Sequence, residues 1–240
     1  MKILSWNVRG LGNPRTIYRL RQTLKTHTPQ MVFFMETKIN KIQMERVRRR
    51  CGFINGIDVD PNGSRGGLCL TWKGNVSIML QSFSKRHIDV LVDDQNNGQQ
   101  WRFTGFYGSP YAQDRDESWN LLKSLRRNEE LPWLVCGDFN EIMYGFQKKG
   151  GIPREERRME AFRNALEDYR LMNVGYSGNW FNWEKRNLPK TNIRECLDRG
   201  VANVNYMSMF PEATIQHLVH STSDHCPLLI TTNKEESRSS

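Results

Sequence analysis

Asp138 and Asn140 stand two apart in Gly137-Asp138-Phe139-Asn140, directly after the apolar run Trp133-Leu134-Val135-Cys136. A carboxylate beside a carboxamide at a strand's end can grip a phosphate and its attacking water, and side chains two apart project to one side as long as the strand continues. Three companions border other apolar runs: Trp6-Asn7 ends the first, Glu36 ends Met31-Val32-Phe33-Phe34-Met35, and Ser223-Asp224-His225 precedes Leu228-Leu229-Ile230. Polar groups gathered at strand ends suit a catalytic crevice, because a strand can be buried while its terminus meets solvent.

Each of these residues also has a plainer reading. Asn7 can end its strand by bonding the backbone, Gly137-Asp138 can form a turn, and His225 can be a solvated loop histidine. Glu36 follows so apolar a run that burying it unpaired is costly. A salt bridge, a cap for the helix after Glu36-Thr37-Lys38, or a metal ion would each resolve that cost. Oxygen ligands from a carboxylate and a carboxamide, completed by water, suit magnesium or manganese better than zinc.

Short apolar runs bounded by Gly, Asn and Pro predict the strands that position these groups, at Ile3–Trp6, Met31–Met35, Leu68–Trp72, Val76–Leu80, Ile88–Val92, Trp101–Tyr107 and Trp133–Cys136. Helical spacing joins Ile17, Leu20 and Leu24, then Trp119, Leu122 and Leu125, then Met159, Phe162, Leu166 and Tyr169. A further helix is expected from Lys41 to Arg50, whose basic end complements the macrodipole. Asn96-Asn97-Gly98 is a hairpin signal, so the strands from Leu68 to Tyr107 are expected to form an antiparallel meander. The helices cannot cover both faces of so many strands. The expected fold is therefore α/β (α+β): two packed, mainly antiparallel sheets flanked by helices.

The chain's 35 Lys+Arg against 26 Asp+Glu give a formal charge of +9, which favours a polyanionic partner, nucleic acid ahead of an acidic protein, through counterion release. Met31–Met35 is far too short to span a bilayer, so a soluble protein with no membrane partner is expected. Met1-Lys2 leads straight into Ile3, Leu4 and Trp6 without a signal-peptide pattern, so secretion is not expected. Five scattered cysteines, none in C-x-x-C spacing, indicate neither a disulfide framework nor a zinc site. Cys69 and Cys136 read as small core residues.

Taken together, Trp6-Asn7-Val8-Arg9-Gly10-Leu11-Gly12, Glu36-Thr37-Lys38, Gly66-Gly67-Leu68 with Trp72, Gly137 to Glu141, Leu197-Asp198-Arg199 and Ser223-Asp224-His225-Cys226-Pro227 resemble the exonuclease-endonuclease-phosphatase (DNase I-like) superfamily. Within it the chain looks most like the endonuclease domain of plant LINE-type (non-LTR) retrotransposons. The resemblance implies a four-layer sandwich over residues 1–231, with 232–240 a polar tail or linker to a missing reverse transcriptase. It also implies a magnesium-dependent endonuclease, manganese substituting, acting in the nucleus on double-stranded DNA. An abasic-site repair endonuclease, or a domesticated DNA-binding module that no longer cuts, are the alternatives.

By the same resemblance Asp138 orients or deprotonates water, Asn140 contacts the phosphate, and Asn7 and Glu36 lie at the metal. Asp198 orients the His225 imidazole, Asp224 lies near the metal, and Tyr107 takes the place of the histidine found in DNase I-like members. Contacts to DNA are expected from Arg9, Ser223, Asn182, Lys148 and Lys149. The two lysines follow the Asp138 strand closely, whereas Arg48–Arg50, Arg154 and Arg157-Arg158 read as solvated faces. Asn179-Trp180-Phe181-Asn182-Trp183 offers aromatic and amide groups that either enter a groove or pack on the core. Asn182 stands where retroelement nucleases commonly carry Thr, and Cys196 where many plant members carry Arg.

Overall fold

Met31–Met35 lacks polar alternation, the pattern of a strand covered on both faces. In the structure, a computed structural model that describes residues 1–94, 98–126, 131–185, 192–219 and 223–232, the whole of this run is buried. Its Phe33 and Met35 enter a core between two sheets, while Val32 and Phe34 enter a second core beneath helices.

In chain order the first half comprises β1 (Lys2–Asn7), α1 (Pro14–His27), β2 (Met31–Met35), α2 (Lys41–Arg50), β3 (Asn55–Val59), β4 (Leu68–Trp72), β5 (Ser77–Ser84), β6 (His87–Asp94), β7 (Gln99–Tyr107), α3 (Arg115–Leu125) and β8 (Trp133–Asp138). There follow β9 (Lys148–Lys149), α4 (Glu156–Asp168), β10 (Met172–Asn173), β11 (Ser177–Gly178), β12 (Trp183–Lys185), β13 (Ile193–Glu195), β14 (Asp198–Ala202), α5 (Val204–Met209), β15 (Thr214–His217) and β16 (Leu228–Thr231). Among the described residues one large sheet runs β11-β15-β16-β1-β2-β4-β3, the other β10-β14-β8-β7-β6-β5, and β12-β13-β9 form a small third.

The two large sheets face each other across Ile3, Phe33, Leu70, Val90, Phe103 and Leu134. Leu20 and Leu24 of α1, with Met44 and Val47 of α2, cover the outer face of the first sheet. Trp119 and Leu122 of α3, with Phe162 and Leu166 of α4, cover the second. This is the expected four-layer arrangement, and burying one apolar stripe per helix on a sheet is what makes it stable. Close approach of the sheets fixes Gly105, since a Cβ there would lie 2.5 Å from the Phe33 ring.

One expected feature is corrected. The strands from Leu68 to Tyr107 do not form a single meander: β4 pairs with β2 and β3 in the first sheet, and only β5, β6 and β7 are hairpin neighbours in the second. Residue pairing across the chain, absent from local pattern, decides that split. Asn96 and Asn97 of the hairpin signal lie outside the described residues, as does the tail beyond Thr232.

Register brings the polar strand ends together. Parallel pairing sets Asn7 beside Met35, so Glu36 emerges next to Asn7. Parallel pairing of β7 with β8 sets Tyr107 beside Asp138, and antiparallel pairing of β14 with β8 sets Asp198 on its other side. Gly137 makes this edge possible: its φ is +152° and a Cβ would meet the Phe106 carbonyl oxygen, which L side chains cannot tolerate. Gly137→Ala should therefore lower stability by about 3 kcal/mol, read by chemical denaturation with circular dichroism. A loss below about 0.5 kcal/mol would show that this strand end relaxes freely.

Candidate active site

Asp138, 1 % exposed, ends β8 within a ring of hydrogen bonds. The Asn7 amide donates to its Oδ2 at 3.0 Å, and the Asn140 backbone N–H donates to its Oδ1 at 2.8 Å. The strand does not continue through Asn140, as the spacing argument required. Asn140 instead has φ +55° and turns its side-chain amide to the Gly108 carbonyl at 3.0 Å, so it braces Asp138 and the end of β7.

His225, 2 % exposed, donates from Nδ1 to Asp198 Oδ2 at 2.7 Å, and its Nε2 lies 3.8 Å from Asp138 Oδ2 and 3.9 Å from Asp224 Oδ1. Burial opposes charge on the ring, but the carboxylates of Asp198 and Asp138 outweigh it and raise the imidazole to about 9. The same burial, reinforced by the Asp198 charge, raises Asp138 to about 6, with His225 and Asn7 acting the other way. The ring is further fixed through its backbone: Trp6 Nε1 donates to the His225 carbonyl at 3.0 Å and the His225 N–H donates to Ser223 Oγ at 3.1 Å.

Glu36 lies on the other wall of the crevice. Tyr107 donates its hydroxyl to Glu36 Oε1 at 2.8 Å, Lys38 Nζ lies 3.0 Å from Oε2, and the Asn7 amide reaches Oε1 at 3.5 Å. Burial would raise the Glu36 carboxyl, but Arg9, Tyr107 and Lys38 together hold it below the usual range. Tyr107 is pushed upward by burial and by the Glu36 and Asp138 charges, so it stays a phenol that donates. Asp224 accepts from Trp183 Nε1 at 3.1 Å and from Arg9; burial resists its charge, and the Arg9 bond prevails to depress its pKa.

Asp138, Asp198 and His225 offer ligand atoms within 4.8 Å of one another, a spacing compatible with a metal. Yet each ring nitrogen faces a carboxylate, and a protonated imidazole has no lone pair to give. Glu36 and Asp224, bridged by the Arg9 guanidinium, offer oxygen donors alone, the donor chemistry that fits a hard dication such as magnesium. Asn7 stands between the two walls: its oxygen accepts the Arg9 N–H at 3.2 Å while its NH2 faces Asp138 and Glu36, so it links two carboxylates.

Several expected DNA contacts have other work. Asn182, 1 % exposed, accepts the N–H groups of Leu197 at 2.8 Å and Asp198 at 3.1 Å and donates to the Asp198 carbonyl, clamping the start of β14. Ser223 is buried and donates its hydroxyl to the Asn7 carbonyl at 2.7 Å. Lys148 pairs with buried Glu195 at 2.7 Å, whereas Lys149 is exposed. Arg48 is buried against Asp58, and Arg154 and Arg158 are directed at the buried Glu141, so these cations are not solvated faces. Trp180 is exposed, and Trp183 reaches the site through Asp224.

Sequence reasoning missed the clamp at Asn182 and the bracing cation Arg199, buried and donating to the carbonyls of Glu141 at 3.1 Å and Cys196 at 2.6 Å. An amide or arginine inside an apolar stretch is the available signal, since a buried donor must find an acceptor.

No curated protein sequence matches the chain. Solved structures share its fold: the endonuclease domain of TRAS1, a telomere-specific non-LTR retrotransposon, is 11 % identical with a TM-score of 0.74, covering 98 % of this chain and 99 % of that one. The AP endonuclease LMAP from Leishmania major is 14 % identical with a TM-score of 0.77, covering 98 % and 88 %. An AP endonuclease from Archaeoglobus fulgidus is 15 % identical with a TM-score of 0.70, covering 98 % and 100 %. Residues 4–225, which carry every strand end that builds this crevice, match one family model throughout, and the chain belongs to the Endonuclease/Exonuclease/phosphatase family.

Proposed function

We propose that this chain is a metal-dependent endonuclease that nicks double-stranded DNA by phosphodiester hydrolysis, serving target-site cleavage in a LINE-type retroelement. The observation that carries the reading is the buried His225 cation, held by Asp198 and facing Asp138 across 3.8 Å, with Glu36 on the opposite wall. Such a crevice offers a base, a cation and a carboxylate for a metal within one desolvated space.

Asp138, raised toward neutrality, is suited to orient a water and take its proton as phosphorus is attacked. Its two lone-pair faces are set by Asn7 and the Asn140 N–H, which keeps the water's direction fixed. His225 carries positive charge where the pentacovalent phosphorus group gains negative charge. Asp198 fixes the ring and keeps the proton on it. Magnesium, held by Glu36 with Asp224, would supply Lewis-acid stabilisation of the leaving 3′ oxygen. The expected product is a nick with a 3′ hydroxyl and a 5′ phosphate.

The retroelement assignment is supported by the shared fold with the TRAS1 domain and by the Asn7–Gly12, Gly66–Leu68 and Leu197–Arg199 motifs. In that setting the chain would act in the nucleus, joined to a reverse transcriptase. Repair at abasic sites is the second reading, because AP endonucleases share this fold and the same groups would serve.

Asp138→Asn and His225→Gln should each lower plasmid nicking by roughly two to four orders of magnitude with the far-ultraviolet spectrum retained. Near wild-type nicking by either variant would remove that residue from the mechanism. Undamaged supercoiled plasmid should be nicked in magnesium and left intact in chelator. An abasic duplex cut about a thousandfold faster than intact DNA would make repair the primary function.

A further inference from the structure

Arg9 is placed in an unusual way for a residue whose task is only to touch DNA. Its Nη1 donates to Glu36 Oε1 at 3.0 Å and Oε2 at 3.2 Å, its Nε to Asp224 Oδ1 at 2.8 Å and Oδ2 at 3.1 Å, and its Nη2 to Asp224 Oδ2 at 2.8 Å. One guanidinium fork thus bridges two carboxylates brought from opposite ends of the chain. The backbone is turned to allow it: Arg9 has φ +54°, followed by Gly10 at +119°, and its N–H is tied to Asn7 Oδ1. Glu36 and Lys38 are likewise left-handed at +51° and +55°, so strain is concentrated on the segments that make this contact.

Glu36 and Asp224 are the two oxygen donors that, in the reading proposed above, would hold the metal. Arg9 and Lys38 already neutralise them. A dication added to this arrangement would sit against two positive charges within a few ångströms, and the Glu36 oxygens, which already accept from Arg9, Tyr107, Lys38 and Asn7, have no lone pair left for an inner-sphere metal while the fork stays in place. The Arg9 side chain is 40 % exposed, so it has somewhere to go. Beside it opens a cleft of about 470 Å³ lined by Lys38, Arg65, Lys85 and Arg86, a surface for a polyanion.

We propose that Arg9 is a tethered counter-cation that competes with the divalent metal for Glu36 and Asp224, and that its displaced guanidinium takes a phosphate oxygen of the DNA. The inference rests on the nuclease reading and deepens it. Metal binding and DNA binding then reinforce each other. Metal frees the fork for the phosphate, and a phosphate that draws the fork away leaves the carboxylates to the metal, the two effects being equal by linkage. A guanidinium suits this exchange because its planar donors match carboxylate and phosphate alike.

The test is Mn2+ binding by electron paramagnetic resonance, with no turnover involved, on the wild-type chain, Arg9→Gln and Arg9→Lys. Without DNA, Arg9→Gln should bind Mn2+ about tenfold more tightly than wild type, and Arg9→Lys, which keeps charge but loses the fork, should fall between. A non-cleavable phosphorothioate duplex should tighten Mn2+ binding in the wild type severalfold, and much less in Arg9→Gln. Wild-type affinity equal to or tighter than that of Arg9→Gln overturns the proposal while leaving the nuclease reading intact. Absence of Mn2+ binding in all three, together with nicking in chelator, overturns both.

Discussion

His225 is buried between Asp198 and Asp138, and the charge it carries there is the condition for everything around it. Two carboxylates brought to adjacent strand ends would repel one another in a low-dielectric interior, and removing the cation would leave both uncompensated. Antiparallel register of β14 on β8 fixes Asp198 opposite Asp138, so the histidine is what lets the second sheet end in a pair of acids. The first sheet delivers the histidine, because Ser223 ties its loop to the Asn7 carbonyl and Trp6 holds its own carbonyl. The packing of two sheets and the ionisation of one ring are the same fact seen at two scales.

Charge is balanced in the same way on the other wall. Glu36 and Asp224 are matched by Arg9 and Lys38, and the local φ values of Arg9, Glu36, Lys38 and Asn140 all lie in the left-handed region. Strain of that kind persists only where surrounding contacts over-determine it, and here those contacts are carboxylates and amides converging on one crevice. Farther out, Glu141 takes Arg115 of α3 and Arg158, and Glu195 takes Lys148 and Arg154, which ties the segment after β8 to its neighbours.

The sequence was legible where both faces of a strand are buried. Met31–Met35 and Leu68–Trp72 are continuous apolar runs, and their observed bounds coincide with the expected ones. Strand β5 was less legible because its residues from Ser77 are mostly exposed and its apolar signal is mixed. The two- and three-residue strands β9 to β13 carry too few residues for any period to show. Strand-end position marked Asn7, Glu36, Asp138 and His225, but it could not tell which way a side chain turns. Asn140 leaves the strand through a left-handed turn, and Asn182 and Ser223 point inward to backbone groups that only the fold supplies. Arg9 was visible as a cation near the site, yet its partner Asp224 lies 215 residues away.

The most direct test of this account is the titration of the His225 ring by NMR in the full chain. Its folded pKa, raised above the ordinary 6.5 to about 9, means that the pairing stabilises the fold fully below pH 6.5 and loses that contribution as pH rises through 9. The account predicts a ring that stays cationic through neutral pH and deprotonates near pH 9, with Asp198→Asn bringing the value down. A His225 that titrates at or below 6.5, or one indifferent to Asp198→Asn, would contradict it.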